Sequence, residues 1–235
     1  MHFLTTILVL VLGSLPSLAE GTPLSSITPT ETAPASPTTM YRGIIEVLTT
    51  NPNEHFGYIG GLEYVSLIGG PQVIALQSNE SLAGTFTFQA PSGATAVSQV
   101  DLESTTPLGG YPVLGLIEGS RTNNNNLEPG SSNYVNLGGT LRSAPGATAQ
   151  TGPNSYAIRF YAYQSSVWSI NISTGDMVSL WVNKNNNAGL GMDLFAWKYT
   201  STFMMGTGDF EAFKTRYPNG GRRSTSVKLR FLPRP

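Results

Sequence analysis

The chain has 235 residues, with 13 Lys+Arg against 14 Asp+Glu, a formal net charge of −1, 11 % charged residues and no cysteine. So weakly charged a chain has no strong overall field to gather nucleic acid or anionic lipid. The absence of cysteine removes disulfides, thiolate metal sites and cysteine nucleophiles together, so stability has to come from packing and sheet hydrogen bonds.

Met1 to Ala19 carry an apolar run from Ile7 to Leu12, then Pro16 and the small-residue pattern Ser17-Leu18-Ala19. Only His2 stands in the place of a basic n-region, yet the run is too short to cross a hydrocarbon core of roughly 30 Å as a helix. The expectation is a secretory signal cleaved after Ala19, an extracellular destination and no membrane association after cleavage. Residues 20–40 are rich in Thr, Ser and Pro, with Pro23, Pro29, Pro34 and Pro37 spaced through them. With little to bury, such a stretch does not offset its own ordering entropy and reads as a disordered stalk open to O-glycosylation. The folded domain is expected from Tyr41 to Pro235.

From Tyr41 the pattern is one of short β-prone runs between Gly, Pro, Asn and Ser, with 26 glycines to supply turns. Strands are predicted around Gly43–Leu48, Glu63–Ile68, Val73–Leu76, Ala83–Gln89, Val97–Leu102, Asn133–Leu137, Tyr156–Tyr163, Ser166–Ile172, Val178–Asn183, Met192–Tyr199 and Ser226–Leu232. An all-β, single-domain antiparallel sandwich is the natural packing for that series. The pairs Gly60-Gly61, Gly69-Gly70, Gly109-Gly110 and Gly138-Gly139 follow no phosphate-loop spacing and read as turns.

Within Ser166 to Asn183, Trp168, Ile170 and Ile172 alternate with Ser169 and Asn171 ahead of Ser173-Thr174-Gly175. A three-residue loop with Gly175 left-handed puts Ile170 opposite Val178 and Trp168 opposite Leu180, and turns Asn171 outward. One short helix is predicted after Thr207, from the spacing of Phe210, Phe213 and Tyr217, with Thr207 as N-cap and Asp209 in the first turn. The basic residues crowd the C-terminal stretch. Lys228 and Arg230 alternate with Val227, Leu229 and Phe231 as the solvent side of a strand does, which favours a strand face over a docking face. Arg222-Arg223 falls between a turn and that strand, a poor setting for a processing site.

Two N-glycosylation sequons occur, at Asn79 and Asn171. Beyond the signal the one histidine is His55, which reads as a solvated or hydrogen-bonded loop residue; no Gly-x-Ser-x-Gly elbow accompanies it. With one histidine and no cysteine, neither a zinc site nor any cofactor is expected. The carboxylates Glu46, Glu63, Asp101, Asp176, Asp193 and Asp209 are scattered, and no catalytic residue is singled out, although two of them in one groove would suffice for glycoside hydrolysis. An acid protease built on a glutamate and glutamine pair also stays open.

The more informative features are two asparagine-rich loops, Asn123 to Asn126 and Asn185 to Asn187, with Trp181 and Trp197 near the second in sequence. Amides offer donors and acceptors together, and indoles stack on sugar rings, so Asn124, Asn186, Trp181 and Trp197 are the candidate glycan-binding residues. The alternative is that asparagine populates loops because it tolerates turn conformations.

In order, Gly57-Tyr58-Ile59-Gly60, Glu128-Pro129-Gly130-Ser131-Ser132-Asn133-Tyr134, Ser166-Val167-Trp168-Ser169-Ile170, Leu180-Trp181-Val182-Asn183 and Thr207-Gly208-Asp209-Phe210 resemble small, uncharacterised secreted proteins of mushroom-forming (basidiomycete) fungi. The resemblance implies secretion and a single domain, and no activity or site residues. The sequence therefore points to an extracellular glycoprotein, a wall-associated or glycan-binding module whose partner is a cell-wall polysaccharide or other glycan. A carboxylate-dependent extracellular hydrolase is the alternative, and a surface coat protein without a ligand a third reading. Nothing in the sequence sets an oligomeric state.

Overall fold

Turn residues cut the chain into short strands, and these pair antiparallel throughout. The structure, a computed structural model, describes residues 37–64, 72–156, 160–185, 189–199 and 201–235. Its strands are β1 (Thr38–Thr49), β2 (His55–Tyr64), β3 (Gln72–Gln77), β4 (Thr85–Pro91), β5 (Ala96–Val100), β6 (Leu102–Leu108), β7 (Tyr111–Glu118) and β8 (Tyr134–Thr140). There follow β9 (Gln150–Thr151), β10 (Ala162–Gln164), β11 (Trp168–Asn171), β12 (Asp176–Val182), β13 (Gly189–Gly191), β14 (Asp193–Lys198), β15 (Thr202–Thr207) and β16 (Ser224–Pro233). Two short helices, α1 (Phe210–Arg216) and α2 (Pro218–Gly221), precede β16. The fold is all-β, as the sequence predicts. Among the described residues no helix is long and apolar enough to cross a membrane.

β1 organises the sheet because its two halves have different partners. Residues Thr38 to Ile44 pair with β4, while Gly43 to Thr49 pair with β16 and Glu46 to Leu48 with β2. The sheet thereby wraps so that β1, β2, β3, β15, β14 and β16 close on one another. Facing halves enclose one core, in which Ile45, Ile59, Phe86, Leu114, Trp168 and Trp181 are all but fully buried. Each such side chain contributes about 1.5–3 kcal/mol of burial free energy. The Trp168 indole N–H is satisfied inside this core by the Leu114 carbonyl at 2.8 Å.

Several expectations are corrected. β6, β7 and β15 have no counterpart in the strands read from sequence. Tyr156 stands in a turn, with the following strand reduced to β10, and most of the run Glu63–Ile68 lies outside the described residues. The hairpin register is one residue off: Ile170 faces Met177, Ser169 faces Val178 and Trp168 faces Ser179. The Asn171 side chain causes this. Its Oδ1 accepts from the N–H groups of Ser173 and Thr174, and the Asn171 backbone carbonyl accepts from Gly175 N at 2.8 Å, which closes a four-residue loop. Gly175 is left-handed (φ 77°), as expected, but Met177 and Trp181 point inward and Val178 stands exposed.

Of the glycine pairs, Gly109-Gly110 is a turn, whereas Gly60-Gly61 and Gly138-Gly139 lie inside β2 and β8; Gly69-Gly70 lies outside the described residues. A Cβ on Gly139 would stand 2.4 Å from the Leu108 carbonyl oxygen, so close backbone approach demands glycine there. In β16 the alternation holds, with Val227, Leu229 and Phe231 buried. His55 opens β2 rather than sitting in a loop, with Nδ1 2.9 Å from Glu46 Oε1.

Candidate binding cleft

Four strands are covered on both faces, and the second covering leaves a gap. Ile74, Val135, Leu194, Ala196 and Met204 point into the main core. Their strand neighbours point to the opposite face and form two satellite clusters. One comprises Tyr134, Phe195, Met205 and Phe213, with Phe210 and Tyr217 of the helical segment packed on it. The other comprises Val73, Ala75, Ile117, Tyr156, Tyr163 and Phe203. Trp197 packs against both. Between the clusters opens a cleft of about 620 Å³, with Asn136, Tyr134, Trp197, Phe203 and Met205 among its lining. Register explains the convergence: Met205 pairs with Asn136 and Phe195, and Phe203 with Trp197 and Ala75.

The aromatic wall has one open end. The Trp197 and Tyr199 rings stack at 5.5 Å and 15°, and Tyr199 is 51 % exposed. A flat, parallel pair of this kind presents a face suited to a sugar ring. Deeper in, Asn136 is buried and its Nδ2 has no partner, and the Trp197 Nε1 is likewise buried and unpartnered. Burying such donors unpaired costs roughly 1–3 kcal/mol each, a cost that a ligand acceptor removes. Burial pushes the Tyr134 phenol up to about 12, with the Tyr156 phenol adding to the effect, so it stays neutral at ordinary pH.

The rim is built with equal care. After β7, Tyr156 Oη donates to Ser120 Oγ at 3.2 Å and Tyr217 Oη donates to the Arg121 carbonyl at 3.1 Å, which fixes the backbone that carries Arg121. Arg216 lies against the Tyr217 ring, 5.9 Å from its centroid. Lys198 N donates to the Arg223 carbonyl at 2.9 Å, holding Arg223 beside β14. All three arginines line the cleft.

The sequence-derived candidates divide. Trp197 is in the cleft. Trp181 is fully buried and its Nε1 donates to the Asn125 carbonyl at 2.8 Å, so it offers no ring face to a ligand. Asn124 Oδ1 accepts from Asn126 N and from Asn133 Nδ2, both at 2.9 Å, so its carbonyl oxygen serves its own loop. Asn126 Oδ1 accepts from Lys184 N and Asn185 N, and Asn183 exchanges two hydrogen bonds with Leu127, so the two asparagine loops are stitched to each other. Asn186 lies outside the described residues. Arg121, Asn136 and Tyr199 were not singled out from sequence, and Arg216 and Arg223 belong to the C-terminal basic stretch, where the sequence favours a strand face over a docking face. One signal was available, because Asn136 interrupts the apolar run Tyr134-Val135-Asn136-Leu137.

No Asp or Glu is among the described residues lining the cleft. Elsewhere Asp101 and Glu103 share Arg142, Glu63 accepts from Ser201 and Gln77, and Asp176 accepts from Thr174 Oγ1 at 2.8 Å. Among the described residues no group of three His, Cys, Asp or Glu side chains converges on a metal-sized space. Asn79 stands exposed in a bend and Asn171 exposed at the end of β11, and each Oδ1 accepts a hydrogen bond from a following backbone N–H. No protein-family model, curated protein or solved structure matches the chain.

Proposed function

We propose that the protein is an extracellular, glycosylated, non-catalytic glycan-binding module whose site is the cleft flanked by Trp197 and Tyr199. One observation carries this reading: a stacked aromatic pair, exposed at one end, adjoins a cleft in which the buried Asn136 amide and Trp197 indole both lack hydrogen-bond partners. Ring faces for stacking and unspent donors for hydroxyl oxygens are the two things a sugar site needs. The signal-like segment, the sequons at Asn79 and Asn171 and the likeness to secreted fungal proteins support an extracellular setting. Binding is preferred to hydrolysis because the described lining supplies no carboxylate to act as acid, base or nucleophile.

The test is retention of the purified domain on an array of fungal, plant and bacterial glycans, with release of soluble products scored in parallel. The expected outcome is retention without products, weakened about tenfold by Trp197→Ala or Tyr199→Ala. Product release would overturn the non-catalytic reading. Retention unchanged by both substitutions would move the site elsewhere.

A further inference from the structure

We infer that the saccharide held in this cleft is acidic, a chain carrying carboxylate or sulfate groups on successive sugars. The inference rests on the glycan-binding reading above and adds the ligand's charge and length. The cleft is lined by Arg121, Arg216 and Arg223; a second groove of about 620 Å³ is lined by Lys198, Arg222 and Arg223. The two share Tyr199 and Arg223, so both open beside the exposed end of the aromatic stack, and together they are taken as one track around it. That track holds five cationic side chains and, among the described residues, no carboxylate. Among the described residues none of the five is ion-paired, whereas Arg142, Lys214, Arg230 and Arg234 each have an acidic partner.

Hydrogen-bonding capacity points the same way as charge. An indole N–H, an amide NH₂, a guanidinium and an ammonium only donate, so the two buried unpartnered groups and the five cations offer donors alone. A neutral sugar hydroxyl can accept those bonds, but it brings a proton of its own that needs a further acceptor. A carboxylate or sulfate only accepts, and a guanidinium matches its two oxygens side by side. The chain's net charge is −1. Five uncompensated cations in one track are therefore a local concentration rather than the overflow of a basic protein. Two grooves that meet at Tyr199 and Arg223 favour a repeating chain over a single sugar, with rings stacked on Tyr199 and anionic groups set on the arginines to either side.

The experiment measures binding of the purified domain to four glycan chains, a polyuronate, its methyl ester, a sulfated galactan and a neutral β-glucan, and to a single-stranded polynucleotide, at about 50 mM and about 500 mM salt. The proteins compared are the wild type, Arg223→Glu, and Arg121→Glu with Arg216→Gln. Near-ultraviolet circular dichroism checks that each variant retains native packing. Expected are binding to the polyuronate or the sulfated galactan, at least about tenfold weaker binding at high salt and in each charge variant, and loss on methyl esterification. Which of the two acidic chains binds identifies the anion. Equal binding of ester, neutral and acidic chains, untouched by the charge variants, would overturn the acidic ligand while leaving the glycan-binding reading intact. Binding to none of the four, with the wider array also silent, would remove the glycan-binding reading itself. Retention on single-stranded polynucleotide alone would assign the track to a different polyanion and overturn the proposal.

Discussion

The indole of Trp181 has no exposed surface and gives its one donor to the Asn125 carbonyl, so core and asparagine loop depend on the same side chain. Trp181→Ala is expected to cost about 3–5 kcal/mol, since it removes a large buried ring and leaves the half-buried Asn125 carbonyl without its donor. Trp181→Phe retains much of the packing and is expected to cost substantially less. Urea unfolding midpoints measure both, and a loss under about 1 kcal/mol for the alanine variant would contradict this role. Trp197→Ala acts on the partly exposed wall of the cleft instead, so its main effect falls on binding. Sequence singled out both tryptophans by residue type but not their surroundings. Trp181 was drawn toward the surface by a hairpin read one residue out of register, and the Asn171 side-chain hydrogen bonds that set the true loop length are invisible to a hydrophobic pattern. Asn136, by contrast, carried a legible signal that the reading did not use, an amide within an apolar strand.

Helix α1 is legible from the spacing of Phe210, Phe213 and Tyr217, but its cap is Asp209, not Thr207. Asp209 Oδ1 accepts from Ala212 N at 2.9 Å, and Oδ2 from Gly130 N at 2.8 Å, so one carboxylate holds the helix start and the loop after β7 together. Thr207 is spent on the Asn133 carbonyl. The backbone N–H groups of Ala212 and Gly130 hold the Asp209 carboxyl below its ordinary value. A depressed carboxyl contributes stability above its unfolded pKa and loses it as pH falls through the folded one. Asp209→Ala is therefore expected to lower the thermal midpoint near neutral pH, with the gap to wild type closing once pH drops below the usual carboxylate value of about 3.9. A gap that stays constant into acid would show that the ionised carboxylate is not responsible. Strand β15 was missed for a different reason: Met204 faces one core while Phe203 and Met205 face the satellite clusters, so no alternation survives. The same double burial makes the cleft, which is why the element least readable from sequence floors the proposed site.

At the scale of the whole molecule the sheet is held shut by its two ends. β16 pairs with β1, β12 and β14, and the β1 pairing runs from Gly43 opposite Pro233 to Thr49 opposite Val227. Removing residues 224–235 leaves three strands with an unpaired edge and takes Val227, Leu229 and Phe231 from the core. The truncated chain is expected to lose cooperative unfolding and resistance to protease, which a limited-digestion time course reads directly. A truncated protein that stays resistant would show that the clasp is dispensable. The all-β class was legible because turn residues and β-prone runs are local signals; the closure was not, because it joins segments at opposite ends of the chain. That clasp also bears on synthesis. A ribosome delivers β1 before every other described strand and β16 after them, so the sheet cannot close until β16 has emerged, and the unpaired edge of β1 has to be kept from other strands until then.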